Sequence, residues 1–285
     1  METLLQAIVM GIVQGLTEFL PISSSGHLLV VPWLAGWDDP FIASLSFTVM
    51  LHVGTLMALI AYFWRDWARL VPAGLAALRD RSFRGDPDRK LAWLIAVTLP
   101  PAVIVGVALR DFFEDQVRHE LVVALTLTIG AGILWAADRL GRRTRDLDGL
   151  GFGGAFAVGC AQALALVPGI SRSGISISAG LFAGLTREAA ARFSFLMATP
   201  ITFGAVIWEV RKVATGEVDM AVDAGVLAAG VIASAGSGFV AIAILLRYLR
   251  NHPMTVFVAY RLALAGIVVV HFLATQEVGA PPWRS

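Results

Sequence analysis

QGLTEFLPISSSGH, residues 14–27, and VPGISRSGIS, residues 167–176, are the two stretches on which the fold turns. Each interrupts an apolar run, roughly 1–35 and 151–186, with proline, serine and glycine. A lipid-facing helix tolerates such a break only where the freed backbone groups find partners, because hydrocarbon offers none. Both runs are therefore expected to be re-entrant helical hairpins. They are also copies of one another. Gln14 and Gln162 lie 148 positions apart, and the same offset pairs Leu16 with Leu164, Ile22 with Ile170, Ser23 with Ser171, Ser25 with Ser173 and Gly26 with Gly174. It persists into the next apolar run, where Ser46-Phe47 matches Ser194-Phe195.

Around these breaks the chain reads as a membrane protein. Of its 285 residues, 57% are hydrophobic and 15% charged, with a mean hydropathy of +0.75, more apolar than a water-facing surface allows. Apolar runs near 45–64, 91–110, 121–140, 194–210, 224–246 and 254–273 approach the roughly 20 residues that cross a bilayer core. Six spans are expected. The N-terminal run lacks a basic n-region and a small-residue cleavage site, so it reads as mature structure. Net charge +1 gives no reason to expect a nucleic-acid partner. Cys160, the single cysteine, excludes a disulfide framework and reads as a small buried hydrophobe.

Lys and Arg set the orientation, since cytoplasmic loops retain them. Arg65, Arg69, Arg79, Arg81, Arg84, Arg89 and Lys90 follow the first span, and Arg139, Arg142, Arg143 and Arg145 follow the third. Both segments are expected to be cytoplasmic, with Arg187, Arg192, Arg247 and Arg250 on the same side. The intervening connection carries Asp111, Glu114, Asp115 and Glu120, as suits an outward loop. Arg211 and Lys212 are the dissent. The chain thus divides into 1–148, with hairpin 1–35 and three spans, and 149–285, with hairpin 151–186 and three spans. Three is odd, so the second copy is inverted. The expected fold is an all-α polytopic membrane protein of two inverted-topology repeats within one membrane domain, and such folds place polar sites near the midplane, where broken helices meet.

At the first break, Gln14 and Glu18 are four apart and share a helix face, which Pro21 then ends. Ser23, Ser24, Ser25 and Gly26 form a hydroxyl-rich turn into a second helix expected to begin near His27. A helix start offers unpaired N–H donors and positive dipole, a ready anion site. The second break repeats the arrangement with Ser171, Ser173 and Gly174, but Arg172 replaces Ser24 and supplies a planar fork for phosphate oxygens. Together the residues describe a polyanion pocket with acid/base groups. Blander readings stand beside this one: Glu18 and Arg172 as a structural ion pair, the serines as simple helix breaks, His27 as a cap. His52, in mid-span without polar company, reads as structural. His271, Trp64, Trp67 and Trp283 suit interfacial anchoring.

The two motifs resemble those of the undecaprenyl-diphosphate phosphatase family: Glu/Gln-x-x-x-Glu followed by Pro-x-Ser-Ser-(Ser/Thr)-Gly-His, and Pro-Gly-x-Ser-Arg-Ser-Gly. The Arg-Phe-Ser-Phe-Leu-Met stretch at 192–197 is similar as well, and the resemblance covers essentially the whole chain. It implies hydrolysis of the C55 lipid diphosphate to the monophosphate carrier of envelope polymer synthesis, bacitracin tolerance, an inner-membrane location and a site open to the periplasm. Position by position, it implies Glu18, Ser24, His27 and Arg172 as essential, with Gln14, Ser23, Ser25, Ser171 and Ser173 supporting and Gly26 and Gly174 beside them at the substrate. It further implies a divalent cation, Mg²⁺ or Ca²⁺, on Glu18 with Gln14, although this chain has Gln at position 14 where many members carry Glu. Ser24, His27 or a water could attack the terminal phosphorus. His27 would accept or donate the proton, and Glu18 would hold the metal or orient His27. The partners implied are the polyprenyl diphosphate lipid, the bilayer and a second copy in a homodimer. The rival reading is a lipid-phosphate flippase or secondary transporter, since inverted repeats serve transport equally well. The cluster of Ser24, His27 and Glu18 argues against it.

Overall fold

The structure is a computed structural model that describes residues 1–42, 44–83, 85–108, 119–215 and 224–277. Arg84, Asp111, Glu114, Asp115 and Trp283 lie outside the described residues. Twelve α-helices occur among those described. The first apolar run forms α1 (Glu2–Phe19) and α2 (Ser24–Ala35), followed by α3 (Leu45–Tyr62), α4 (Trp64–Asp80), α5 (Pro87–Val97), α6 (Leu99–Ala108) and α7 (Glu120–Leu140). The second half begins with α8 (Phe152–Ala163) and α9 (Arg172–Phe182), then α10 (Arg187–Ala214), α11 (Ala224–Leu249) and α12 (Thr255–Glu277). No strand occurs among the described residues.

Among the described residues, five stretches are long and apolar enough to cross a membrane: Pro87–Ala108, Glu120–Leu140, Arg187–Lys212, Ala224–Leu249 and Thr255–Thr275. The sixth expected span is α3, which bends by 81° into α4. Helix α4 is a departure from expectation, because 65–80 had read only as a basic connection. Its apolar residues Trp64, Val71, Leu75 and Leu78 are exposed along one side, while Leu70 and Ala77 are buried on the other. Such amphipathicity suits a helix lying along the interface. Within Pro87–Ala108 the ladder is interrupted at Thr98, because Pro100 and Pro101 bring no N–H. Thr98 turns its hydroxyl onto the Ile95 carbonyl at 2.7 Å.

The basic segments gather at one end of the bundle through a chain of polar contacts. Asp66 accepts from Arg69 at 3.0 Å and Arg192 at 2.6 Å, and Lys90 reaches the Asp148 carbonyl at 2.7 Å. Asp138 pairs with Arg187 at 2.5 Å and accepts from the Met254 amide at 3.1 Å, and Arg250 pairs with Glu188 at 3.0 Å. The dissenting Lys212 is neutralised by Glu209 at 2.9 Å.

Each broken run folds back on itself. Thr3, at the start of α1, donates to Asp39, just beyond α2, at 3.1 Å. The segments flanking α8 and α9 meet where the Thr144 and Arg145 amides both bond the Gly184 carbonyl at 3.0 Å. Helix α1 packs most extensively on α11, which also packs on α3; α12 lies along α7, and α9 sits between α7, α8 and α10. The main core joins Phe19 and Phe195, edge to face at 5.4 Å, to Leu59, Leu134, Leu181 and Leu245. Cys160 departs from its expected burial: it is exposed on α8.

Candidate active site

The two breaks have the same local geometry. Helix α1 ends at Phe19, and α2 starts at Ser24, three residues earlier than expected at His27, because Ser23 is the N-cap and its hydroxyl accepts from the Gly26 amide at 3.3 Å. Ser171 caps α9 in the same way, accepting from the Gly174 amide at 3.1 Å. Both capping serines have positive φ, 77° at Ser23 and 73° at Ser171, a region that L residues avoid. Backbone held there costs about 1–3 kcal/mol per residue and concentrates at functional sites. Ser23 and Ser25 hydroxyls lie 3.3 Å apart, and Ser171 and Ser173 hydroxyls 3.2 Å apart.

The breaks also interlock. The Ser173 hydroxyl donates to the Leu20 carbonyl at 3.0 Å, and the Gly169 amide donates to Ser25 Oγ at 3.4 Å. Arg261 of α12, fully buried, fixes both at once. Its guanidinium donates to the carbonyls of Pro21, Gly169 and Ile170 at 3.4, 2.9 and 3.0 Å, and to those of Thr126 and Leu127 at 3.4 and 3.1 Å. Gly130 leaves room for it, since a Cβ there would run into Nη2. Gly169 meets a second demand: at φ +93 it approaches the Thr126 hydroxyl too closely for any side chain. Sequence reasoning missed Arg261, although a charge inside the apolar run 254–273 was signal enough.

Glu18 is the hub. It is 6% exposed and pairs with Arg172 across the two breaks. Its other oxygen accepts from Ser24 Oγ at 2.5 Å and from Gln14 Nε2 at 3.1 Å, and His52 Nε2 stands 3.7 Å away. His52 therefore has polar company after all, supplied by a helix distant in sequence. The expected neighbourhood of Glu18 and His27 is different in detail: no hydrogen bond joins them. Instead His27 Nδ1 meets the Ser23 carbonyl at 2.7 Å, and Nε2 meets the Tyr260 hydroxyl at 2.7 Å, with the two rings stacked 5.6 Å apart. A carbonyl only accepts, so Nδ1 carries the proton and Nε2 accepts from tyrosine. Tyr260 is the other residue the sequence concealed.

Two buried polar atoms here have no partner: Arg172 Nη1 and Gln14 Oε1. A buried polar group without a partner calls for an explanation, and a bound ion is one of them. Arg172 thus has one arm on Glu18 and one free, at the N-terminus of α9 and beside the partly exposed Ser24 and Ser25. That is an arrangement for a phosphate.

The family model for bacitracin resistance protein BacA matches residues 7–268, both motifs included. The chain belongs to the BacA family. It is 47% identical over 270 residues to an undecaprenyl-diphosphatase of Moorella thermoacetica, covering 95% of this chain and 98% of that one. Undecaprenyl-diphosphatases of Gemmatimonas aurantiaca, 46% identical, and Desulforudis audaxviator, 44% identical, are covered over 99% and 96% of their lengths, with 96% and 93% of this chain.

In this BacA-family chain, no group of three His, Cys, Asp or Glu gathers among the described residues, so no all-protein metal cage is present there. A cation that travels with phosphate oxygens needs only one or two protein oxygens, and Glu18 with the unpartnered Gln14 Oε1 fits that requirement. Two surface cavities, about 370 Å³ beside Phe83 and Lys90 and about 310 Å³ beside Asp138 and Arg187, contain none of the site's groups.

Proposed function

We propose that this chain hydrolyses undecaprenyl diphosphate to undecaprenyl phosphate and inorganic phosphate, with Glu18, Ser24, His27 and Arg172 as the working residues. The observation that carries the assignment is the short contact from Ser24 Oγ to Glu18, 2.5 Å, next to the unpartnered Nη1 of Arg172. A hydroxyl with a carboxylate to take its proton is an equipped nucleophile, and a carrier has no need of one. Ser24 attacks the terminal phosphorus as its proton passes to Glu18, and the bond from that phosphorus to the bridging oxygen breaks to release undecaprenyl phosphate. Arg172 and the first-turn amides of α2 and α9 hold the phosphate oxygens, with Ser23, Ser25, Ser171 and Ser173 fixing the turns that present them. Both nitrogens of His27 are engaged, which disfavours it as the attacking group and leaves it the proton-transfer role.

A divalent cation, Mg²⁺ or Ca²⁺, would be held by Glu18 and Gln14 Oε1 and would supply positive charge against the phosphate oxygens. The two halves form inverted repeats, a reading supported by the matching serine caps and by hairpins that close at Thr3–Asp39 and at the basic end. With the basic end cytoplasmic, the protein is an inner-membrane enzyme whose site opens to the periplasm and leaves the prenyl chain in the bilayer. Product analysis tests the function. Purified protein in detergent is expected to convert each C55 diphosphate into one monophosphate lipid and one phosphate; lipid binding without release would favour a transporter.

A further inference from the structure

His27 is 5% exposed, and its ring is held from both sides. Nδ1 is fixed on the carbonyl of Ser23, a residue itself locked by the cap of α2, so the ring cannot turn without losing that bond. The remaining nitrogen, Nε2, is covered by the Tyr260 hydroxyl at 2.7 Å. Tyr260, by contrast, is 44% exposed. The next residue, Arg261, ties α12 to the Pro21, Gly169 and Ile170 carbonyls of the two breaks, which sets Tyr260 beside them. Any proton that His27 takes up or gives away at Nε2 therefore has to pass through the Tyr260 oxygen.

We propose that Tyr260 is the proton-transfer residue that connects the buried His27 to the reacting phosphate. The inference rests on the phosphatase reading above and assigns it a further catalytic group. In the second half-reaction a water attacks the phosphorus of Ser24-bound phosphate. Its proton goes to Tyr260 Oη as the phenolic proton moves to His27 Nε2. The bond from phosphorus to water oxygen forms while the bond to Ser24 Oγ breaks, and Oγ recovers the proton that Glu18 accepted in the first step. Tyrosine ends as it began. The imidazolium, still donating from Nδ1 to Ser23, releases its Nε2 proton to solvent through the same hydroxyl once phosphate has left.

The test compares wild type with Tyr260→Phe, both as purified full-length protein acting on C55 diphosphate. The variant keeps the ring that stacks on His27 and loses only the hydroxyl. Its kcat is expected to fall about 10²-fold, the usual scale for general acid–base groups, with KM changed less than twofold. Single-turnover rates in mixtures of H₂O and D₂O are expected to give a curved proton inventory for wild type, two protons moving together, and a straight one for the variant. Unchanged kcat, or a lower kcat with higher KM and a curve that persists, would overturn the proposal. Should Tyr260→Phe fail to fold, 3-fluorotyrosine at position 260 decides: a more acidic phenol shifts the pH–rate profile if the hydroxyl relays the proton, and an unshifted profile contradicts the relay. Inactive wild type would instead count against the phosphatase reading itself.

Discussion

Arg172 and Glu18 form an ion pair and, in the proposed mechanism, a catalytic pair, and substitutions separate the two roles. Arg172→Ala leaves a buried carboxylate without its partner, a loss of about 3–5 kcal/mol for pairs of this kind. Melting followed in detergent should drop accordingly, and phosphate release should be lost. Arg172→Lys keeps the charge but not the fork, so it is expected to recover most of the melting temperature and little of the activity. Melting and activity that recover together would assign Arg172 to structure alone. Gln14→Glu places a second carboxylate beside Glu18, where the Gln14 amide now donates at 3.1 Å. The variant is expected to need a lower concentration of Mg²⁺ or Ca²⁺ for half-maximal activity, and an unchanged titration would remove position 14 from cation binding. At this scale the motif residues were legible because serine, glycine and proline in an apolar run have few other uses. His52, Tyr260 and Arg261 were not, because what gives each its meaning is a residue at least 34 positions away, joined only by folding.

The helices show which features an apolar sequence hides. The breaks were foreseeable from Pro21 and Pro168, yet the start of α2 moved to Ser24 because a cap needs its own residue ahead of the first turn. Helix α4 was hidden by its charges: hydropathy averages across an amphipathic face. The α1–α11 contact was equally invisible, since it depends on small residues rather than apolar ones. A Cβ on Gly11 or Gly15 would collide with the backbone of Gly230 or Ser234, which is how close packing in lipid is achieved without a hydrophobic drive. Gly11→Leu should therefore lower the melting temperature and the yield of folded protein, while Gly36→Ala, whose added Cβ meets nothing within 4 Å, mainly bears its left-handed φ of 65°. The serine caps give a finer contrast. Ser171→Gly relieves the positive φ while losing the cap, and is expected to stay within about 1 kcal/mol of wild type in stability. Ser171→Ala loses the cap and keeps the strain, so it should melt lower than the glycine variant; equal melting would show that the positive φ stores no strain.

For the whole molecule, the repeat is unequal at the proposed site. Glu18 and His27 correspond by the 148-residue offset to Leu166 and Ile175, whereas Arg172 corresponds to Ser24. One half brings the carboxylate and imidazole, the other the guanidinium, so neither is a site alone. The offset was legible in sequence; the interlocking of the breaks around Arg261 was not. The proposed orientation, with the basic end cytoplasmic, is open to labelling. In a Cys160→Ala background, a membrane-impermeant maleimide applied to intact cells should modify Asp38→Cys and spare Arg81→Cys, and the opposite pattern would reverse the topology. The most direct test of the central claim is phosphate release from C55 diphosphate by purified protein, with and without EDTA, for wild type, Ser24→Ala and Arg172→Ala. The expected result is release by wild type, its loss on chelation and return with added Mg²⁺ or Ca²⁺, and at least a hundredfold loss in both variants. Undiminished release by Ser24→Ala and Arg172→Ala would contradict it.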